Sequence, residues 1–149
     1  MQNIIKLTEA TVLALHALIV IASREGDMAT NADIAEFLHA SDNHLSKVLQ
    51  RLAKAGLVRS VRGPHGGFVL GRAPEKVTLR EVYEVFEGPL KAGHCLLGTP
   101  VCGDTCVFGD LLANMTSLFI DFMTRTTLRD AVEKIAKELH TVLNGISSI

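Results

Sequence analysis

The sequence predicts a mainly α-helical chain: a winged helix-turn-helix with a β-hairpin wing and a long C-terminal dimerisation helix. Three observations predict it. Two short amphipathic segments, Thr30 to His39 and Ser41 to Lys54, each open on a hydroxyl cap and meet at a tight turn. The stretch LVRSVR-GPHGG-FVLGR then alternates, turns and returns as a hairpin. Downstream, Phe108 to Met123 is an apolar helical segment with too little sequence around it to bury every face.

Taken in order, Thr8 to Arg24 reads as a mostly apolar helix, with Leu15, Leu18, Ile19 and Ala22 at helical spacing and Gly26-Asp27 as its end. The second helix starts at Thr30, where Asp33 supplies a capping-box partner and Ile34, Ala35 and Leu38 form the stripe. Ser41 caps the third. Leu45, Val48, Leu49 and Leu52 form its apolar face, and Gly56 ends it as a residue free to turn left-handed. The hairpin follows. Thr78 with Glu81 opens a fourth helix that buries Leu79, Val82, Tyr83 and Phe86 and stops at Gly88-Pro89. After the long helix, Thr127 with Asp130 caps a last one, ended by Gly145. The expected division is 1–88 for the winged-helix domain, 89–107 for a cysteine-containing loop and 108–149 for dimerisation helices.

Composition bounds the function. Of 149 residues, 48% are apolar and 21% charged, so a core is affordable and disorder is excluded. The longest apolar run, Val12 to Ala22, is interrupted by His16 and falls short of the roughly 20 residues a bilayer span needs. No membrane partner is expected. The N-terminus lacks a signal-peptide pattern, so a cytoplasmic location is expected, where thiols stay reduced. No nucleophile–base pair appears, and GPHGG lies in a hairpin rather than before a helix, so no enzyme is expected.

Net charge is only −1, but its distribution is uneven. Between Asn43 and Pro74 stand six basic residues, Lys47, Arg51, Lys54, Arg59, Arg62 and Arg72, and no acid. A positive stripe on a near-neutral chain is either a solvated face or a phosphate-facing surface. Beside a helix-turn-helix and a wing, the second reading gains. Candidate DNA contacts are Ser41, Asn43, His44, Ser46, Lys47 and Arg51 on the third helix, with Arg59, Arg62, Gly66 and Gly67 on the wing.

All three cysteines fall in HCLLGTPVCGDTC, at Cys95, Cys102 and Cys106. In a reducing compartment they point to metal or redox use rather than a disulfide. The spacing exceeds the paired knuckles of a zinc ribbon and no second knuckle exists, so the residues alone leave open a metal site with one ligand elsewhere or a redox thiol pair. The bland alternative is a cluster-free thiol sensor or an ordinary loop.

LALHAL, NHLSKVLQRLAKAGLVRSVRGPHGGFVLGR, PEKVTLREVYEVFEG, HCLLGTPVCGDTC and TTLRDAV, in that order, resemble the Rrf2 family of bacterial winged-helix transcription regulators. The resemblance covers nearly the whole chain. It implies a homodimer on a palindromic double-stranded DNA operator, and three cysteines holding a 2Fe-2S or 4Fe-4S cluster. In this chain Cys102 and Cys106 are separated by only three residues, a shorter second spacing than the family commonly shows, and the usual following proline is absent. The resemblance also makes the first helix a source of the fourth ligand. His16 matches a position used in that way and Glu9 lies near the start of the same helix, whereas Val12, at another such position, cannot bind metal. Taken alone, His16 reads as a histidine packed on an apolar helix. A competing function, also implied by some family members, is a winged-helix module that engages a metabolic enzyme; steep salt dependence of binding would discriminate in favour of DNA.

Overall fold

The computed structural model describes residues 7–24, 27–92, 101–102 and 106–136. Cys95, His94 and the glycines at 93, 98 and 103 lie outside the described residues, as do Gly26 and the expected helix end at Gly145. The elements run α1 (Glu9–Ser23), α2 (Asn31–Leu38), α3 (Asp42–Lys54), β1 (Val58–Val61), β2 (Gly67–Leu70), a 3-10 turn (Pro74–Lys76), α4 (Leu79–Glu87) and α5 (Gly109–Arg125). Residues 128–136 are again helical and are called α6.

The caps form as the sequence indicates. Thr30 and Asp33 make a reciprocal capping box at α2. The Ser41 hydroxyl accepts from the His44 amide at 3.1 Å. Thr127 and Asp130 exchange both bonds of a box at the start of α6. At α4 only half the expected box is seen. Thr78 Oγ1 accepts from the Glu81 amide, but the Glu81 carboxylate turns to Arg72 at 2.5 Å, because a guanidinium is a stronger partner than a backbone amide. Gly56, at φ +73°, closes α3. Its amide reaches Ala53 O and the Leu57 amide reaches Leu52 O, the paired bonds of a Schellman end. His39 takes the same role after α2 at φ +51°, where a glycine is commoner.

The core gathers around α1, which touches α2, α3, α4 and β2. The expected stripe on α1 needs correction. Of Leu15, Leu18, Ile19 and Ala22 only Leu18 is buried; the buried set is Thr11, Leu13, Ala14, Ala17, Leu18, Val20 and Ile21. A helix that is apolar nearly all round carries no dominant face of its own, so its neighbours choose one. On α3 the expected Leu45, Val48, Leu49 and Leu52 are all buried. On α4 only Val82 is buried, while Leu79 and Phe86 lie half-buried against the core and Tyr83 turns to α5.

β1 and β2 pair antiparallel, with Val58 opposite Leu70 and Val61 opposite Gly67. A third piece joins them: Ala29 bridges Phe68 through amide–carbonyl bonds of 3.1 and 2.8 Å. This anchors the wing to the loop before α2. At the wing root, a Cβ on Gly71 would lie 2.2 Å from Gly56 O. Backbone cannot yield that much, so Gly71→Ala is expected to lower stability by about 1–3 kcal/mol, read as a reduced urea midpoint with the slope unchanged.

The far end of α5 is stitched into the same body. Thr126 O accepts from the Leu79 amide, the Leu128 amide reaches Val77 O, and Leu128 is fully buried in the winged-helix core. Met123, near the end of α5, is buried as well. No helix among the described residues is long and apolar enough to cross a membrane.

Candidate nucleic-acid interface and cysteine site

The recognition face is built by the cap that opens α3. Ser41 stops the chain in extended backbone and turns Asn43, His44, Ser46 and Lys47 onto the first turns, clear of the buried leucine face. Ser41, Asn43 and Lys47 are exposed; His44 and Ser46 are half-buried. Ser46 Oγ donates to Asn31 Oδ1 at 3.3 Å, and Asn31 Nδ2 donates to Asp42 Oδ1 at 2.9 Å. Asn31 thus clamps the start of α2 to the start of α3. The sequence offered no sign of this, since Asn31 reads there only as the residue after a cap.

Arg59 and Arg62 are exposed on the wing. Arg59 also lines a cleft of about 630 Å³ at the wing root, where Arg72 and Arg129 converge with it from other elements. Arg129, outside the basic window, pairs with Glu75 at 3.7 Å. Arg51 is exposed, and its guanidinium carbon stacks 4.8 Å from the centroid of Phe86 on α4. Gly66 and Gly67 have packing reasons independent of any ligand. A Cβ on Gly66 would meet Val61 O at 2.4 Å, and one on Gly67 would meet Ala29 O at 2.7 Å.

Glu9 and His44, assigned to different sites by sequence, meet: Glu9 Oε1 lies 3.6 Å from His44 Nδ1. His16 does not pack between helices as its plain reading suggests. It is exposed, and its Nδ1 lies 2.7 Å from the Val12 carbonyl. A carbonyl only accepts, so Nδ1 is the donor, and in the neutral ring Nε2 is the nitrogen left with a lone pair. That is the posture of a histidine able to ligate metal through Nε2.

Cys102 is exposed and Cys106 half-buried, both just before α5. Among the described residues no group of three or more His, Cys, Asp or Glu side chains is gathered tightly enough to hold a metal ion. Three thiolates are nonetheless the donor set that iron–sulfur cores take. The approach to the cysteine stretch is pinned by carboxylates on α4. Glu84 accepts from the Leu90 amide at 3.0 Å and from Arg80 Nε at 2.9 Å, and these donors hold its carboxyl below the usual range. Tyr83 packs edge-on to Phe119 of α5, at 5.7 Å between centroids, and burial pushes its phenol up.

An apolar stripe runs along the remaining surface of α5, between exposed polar residues such as Asn114, Ser117 and Asp121. Phe108, at the cap, and Leu111, Leu118 and Phe122 are exposed, with half-buried Met115 among them, at alternating spacings of three and four. Leu118 is 73% exposed. Such a stripe marks an interaction surface.

A family model described as Rrf2, iron-dependent transcriptional regulator, matches residues 7–134. The HTH-type transcriptional regulator NsrR of Bacillus licheniformis is 36% identical over 138 residues, covering 85% of this chain and 92% of that protein. NsrR of Bacillus subtilis is 34% identical over 136 residues, covering 86% and 90%. Among solved structures, CymR (YrzC), the global cysteine regulator of B. subtilis, superposes with a TM-score of 0.75 at 26% identity, covering 88% of this chain and 98% of that one. IscR of T. potens does so with a TM-score of 0.68 at 25% identity, covering 88% of each.

Proposed function

Since the chain belongs to the Rrf2 family of transcriptional regulators, a non-enzymatic class, we propose that it binds a palindromic double-stranded DNA operator as a homodimer, its affinity set by an iron–sulfur cluster on Cys95, Cys102 and Cys106. The observation that carries the DNA reading is the capped, exposed first turn of α3 beside a wing bearing Arg59 and Arg62. A helix N-terminus of this kind enters the major groove, where Asn43, His44, Ser46 and Lys47 reach base edges. The wing arginines serve phosphates or the minor groove. Ser41 and the wing glycines shape these elements as well as adjoining the DNA.

The cysteine reading is supported by the donor chemistry, by the iron dependence in the family description and by the position of Cys102 and Cys106 at the entrance to α5. A bound cluster, 2Fe-2S or 4Fe-4S, supplies a redox-sensitive crosslink between the three thiolates. For the fourth ligand, His16 and Glu9 on α1 of the partner are candidates beside solvent or a small thiol. Because Thr126–Leu128 are bonded to Val77–Leu79, a shift at the start of α5 reaches the winged domain as a rotation rather than as local slack. Two half-sites one helical turn apart, about 34–36 Å, tolerate little rotation before phosphate contacts are lost.

The test is binding to an operator selected from a randomised duplex library. Lys47→Ala is expected to weaken binding by about 1–3 kcal/mol and relax preference at one base pair per half-site. Arg62→Ala is expected to weaken all sequences alike and lower the salt slope by about 1. Full affinity and unchanged preference in both variants would overturn the interface.

A further inference from the structure

Three helix ends meet at the first turn of α1, far from one another in sequence. Glu87 is the last residue of α4, and Gly88, at φ +83°, breaks the helix after it. One oxygen of Glu87 accepts from the Thr8 amide at 2.8 Å, from the Thr8 hydroxyl at 2.6 Å and from the Thr11 hydroxyl. Thr11 is fully buried. Thr8 is itself the N-cap of α1, accepting from the Thr11 amide. The carboxylate therefore sits at the positive end of α1 and satisfies its free donors from another helix. The next residue, Glu9, is exposed and places one carboxylate oxygen 3.6 Å from His44 Nδ1 on α3.

We propose that Glu87 is a positioning residue for DNA recognition: by holding Thr8 it fixes the first turn of α1, and that turn steadies the His44 imidazole through Glu9. The proposal rests on the reading above that His44 faces DNA. Thr8 and Glu9 are adjacent, so rotation of the Thr8 cap about the helix axis must swing Glu9. A carboxylate beside the Nδ1 edge restrains the ring from that side, which leaves the Nε2 edge as the one presented to a base. A loosened cap would blur that aim while Lys47 and the wing kept their contacts.

The probe is a palindromic duplex selected by the wild type from a randomised library, compared with duplexes varied at each half-site position. Glu87→Ala is expected to weaken binding about threefold to tenfold and to flatten preference at the base pair read by His44. Glu87→Gln keeps a carbonyl acceptor for Thr8 and is expected to restore most of that preference. In a His44→Ala background, Glu87→Ala is expected to cost nothing further. Because Glu87→Ala also strips a partner from buried Thr11, the exposed Glu9→Gln is the second variant: flattened preference at an unchanged melting temperature and unchanged iron and sulfide content supports the proposal. If Glu9→Gln keeps full preference, or if the Glu87 and His44 losses simply multiply, the proposal is overturned while the interface stands. If His44→Ala alone changes neither affinity nor preference, the placement of His44 at DNA fails and the proposal fails with it.

Discussion

Leu118→Glu is expected to yield a folded monomer that binds a single half-site weakly. Leu118 is the most exposed of the apolar side chains along α5, and among the described residues no other element covers the stripe that Phe108, Leu111 and Phe122 share with it. The other side of α5 is already committed. Tyr83 of α4 meets Phe119, and Met123 is buried. A glutamate at 118 thus costs the monomer little, since it stays in water. In a symmetric interface the same residue meets its own copy or near neighbours, and two carboxylates would be desolvated together. Loss of the dimer removes the effective concentration that links the two half-site contacts, so affinity for the full palindrome should fall by about 10²–10⁴-fold. Binding to an isolated half-site should hardly change. Light scattering gives the mass, circular dichroism the fold, and anisotropy with full and half operators the two affinities. A Leu118→Glu protein that stays dimeric, or a monomer that keeps wild-type affinity for the palindrome, would place the interface elsewhere.

Alanine at any one of Cys95, Cys102 or Cys106 is expected to bleach protein reconstituted with iron and sulfide without air. Thiolates supply most of the bonding in such cores, and a chain with three cysteines has no spare. Iron and sulfide per chain should both fall by most of their wild-type value, and the wild-type ratio distinguishes 2Fe-2S from 4Fe-4S. The operator affinity of each variant should match that of wild type stripped of iron. His16→Ala is expected to act more gently. Its Nδ1–H is engaged by the Val12 carbonyl, so the free Nε2 can add to a thiolate-bound core but cannot hold one alone. A changed absorbance and a lost pH dependence of the potential between about pH 6 and 8, with iron retained, would place His16 at the fourth position; identical spectra would leave that position to Glu9 or solvent. Wild type that remains colourless and iron-free after reconstitution would remove the cluster and favour a thiol sensor.

The local rules of the chain determined most of its winged-helix outline. The caps at Thr30, Ser41 and Thr127 satisfy amides within three residues, so their partners are visible in the sequence itself. The four apolar positions of α3 repeat at helical spacing on an otherwise polar helix, and such a pattern admits one buried face. The hairpin follows from an alternating run before a Gly-Pro turn and a short apolar run after it. The candidate DNA face was legible for the same reason: it is the side of α3 that the buried leucines leave over.

Tertiary structure decided what depends on partners far along the chain. Which face of α1 is buried was set by the elements packed around it, because an apolar helix has no preference of its own. The bridge from Ala29 to Phe68, the seat of Leu128 in the core and the stacking of Arg51 on Phe86 join residues whose types are unremarkable in sequence. Asn31 between Asp42 and Ser46, Glu9 beside His44 and Glu87 on Thr8 are of the same kind. A hydrogen bond or ion pair needs two side chains within a few ångströms, and periodicity reports only which way each one points. The fold supplies the distance.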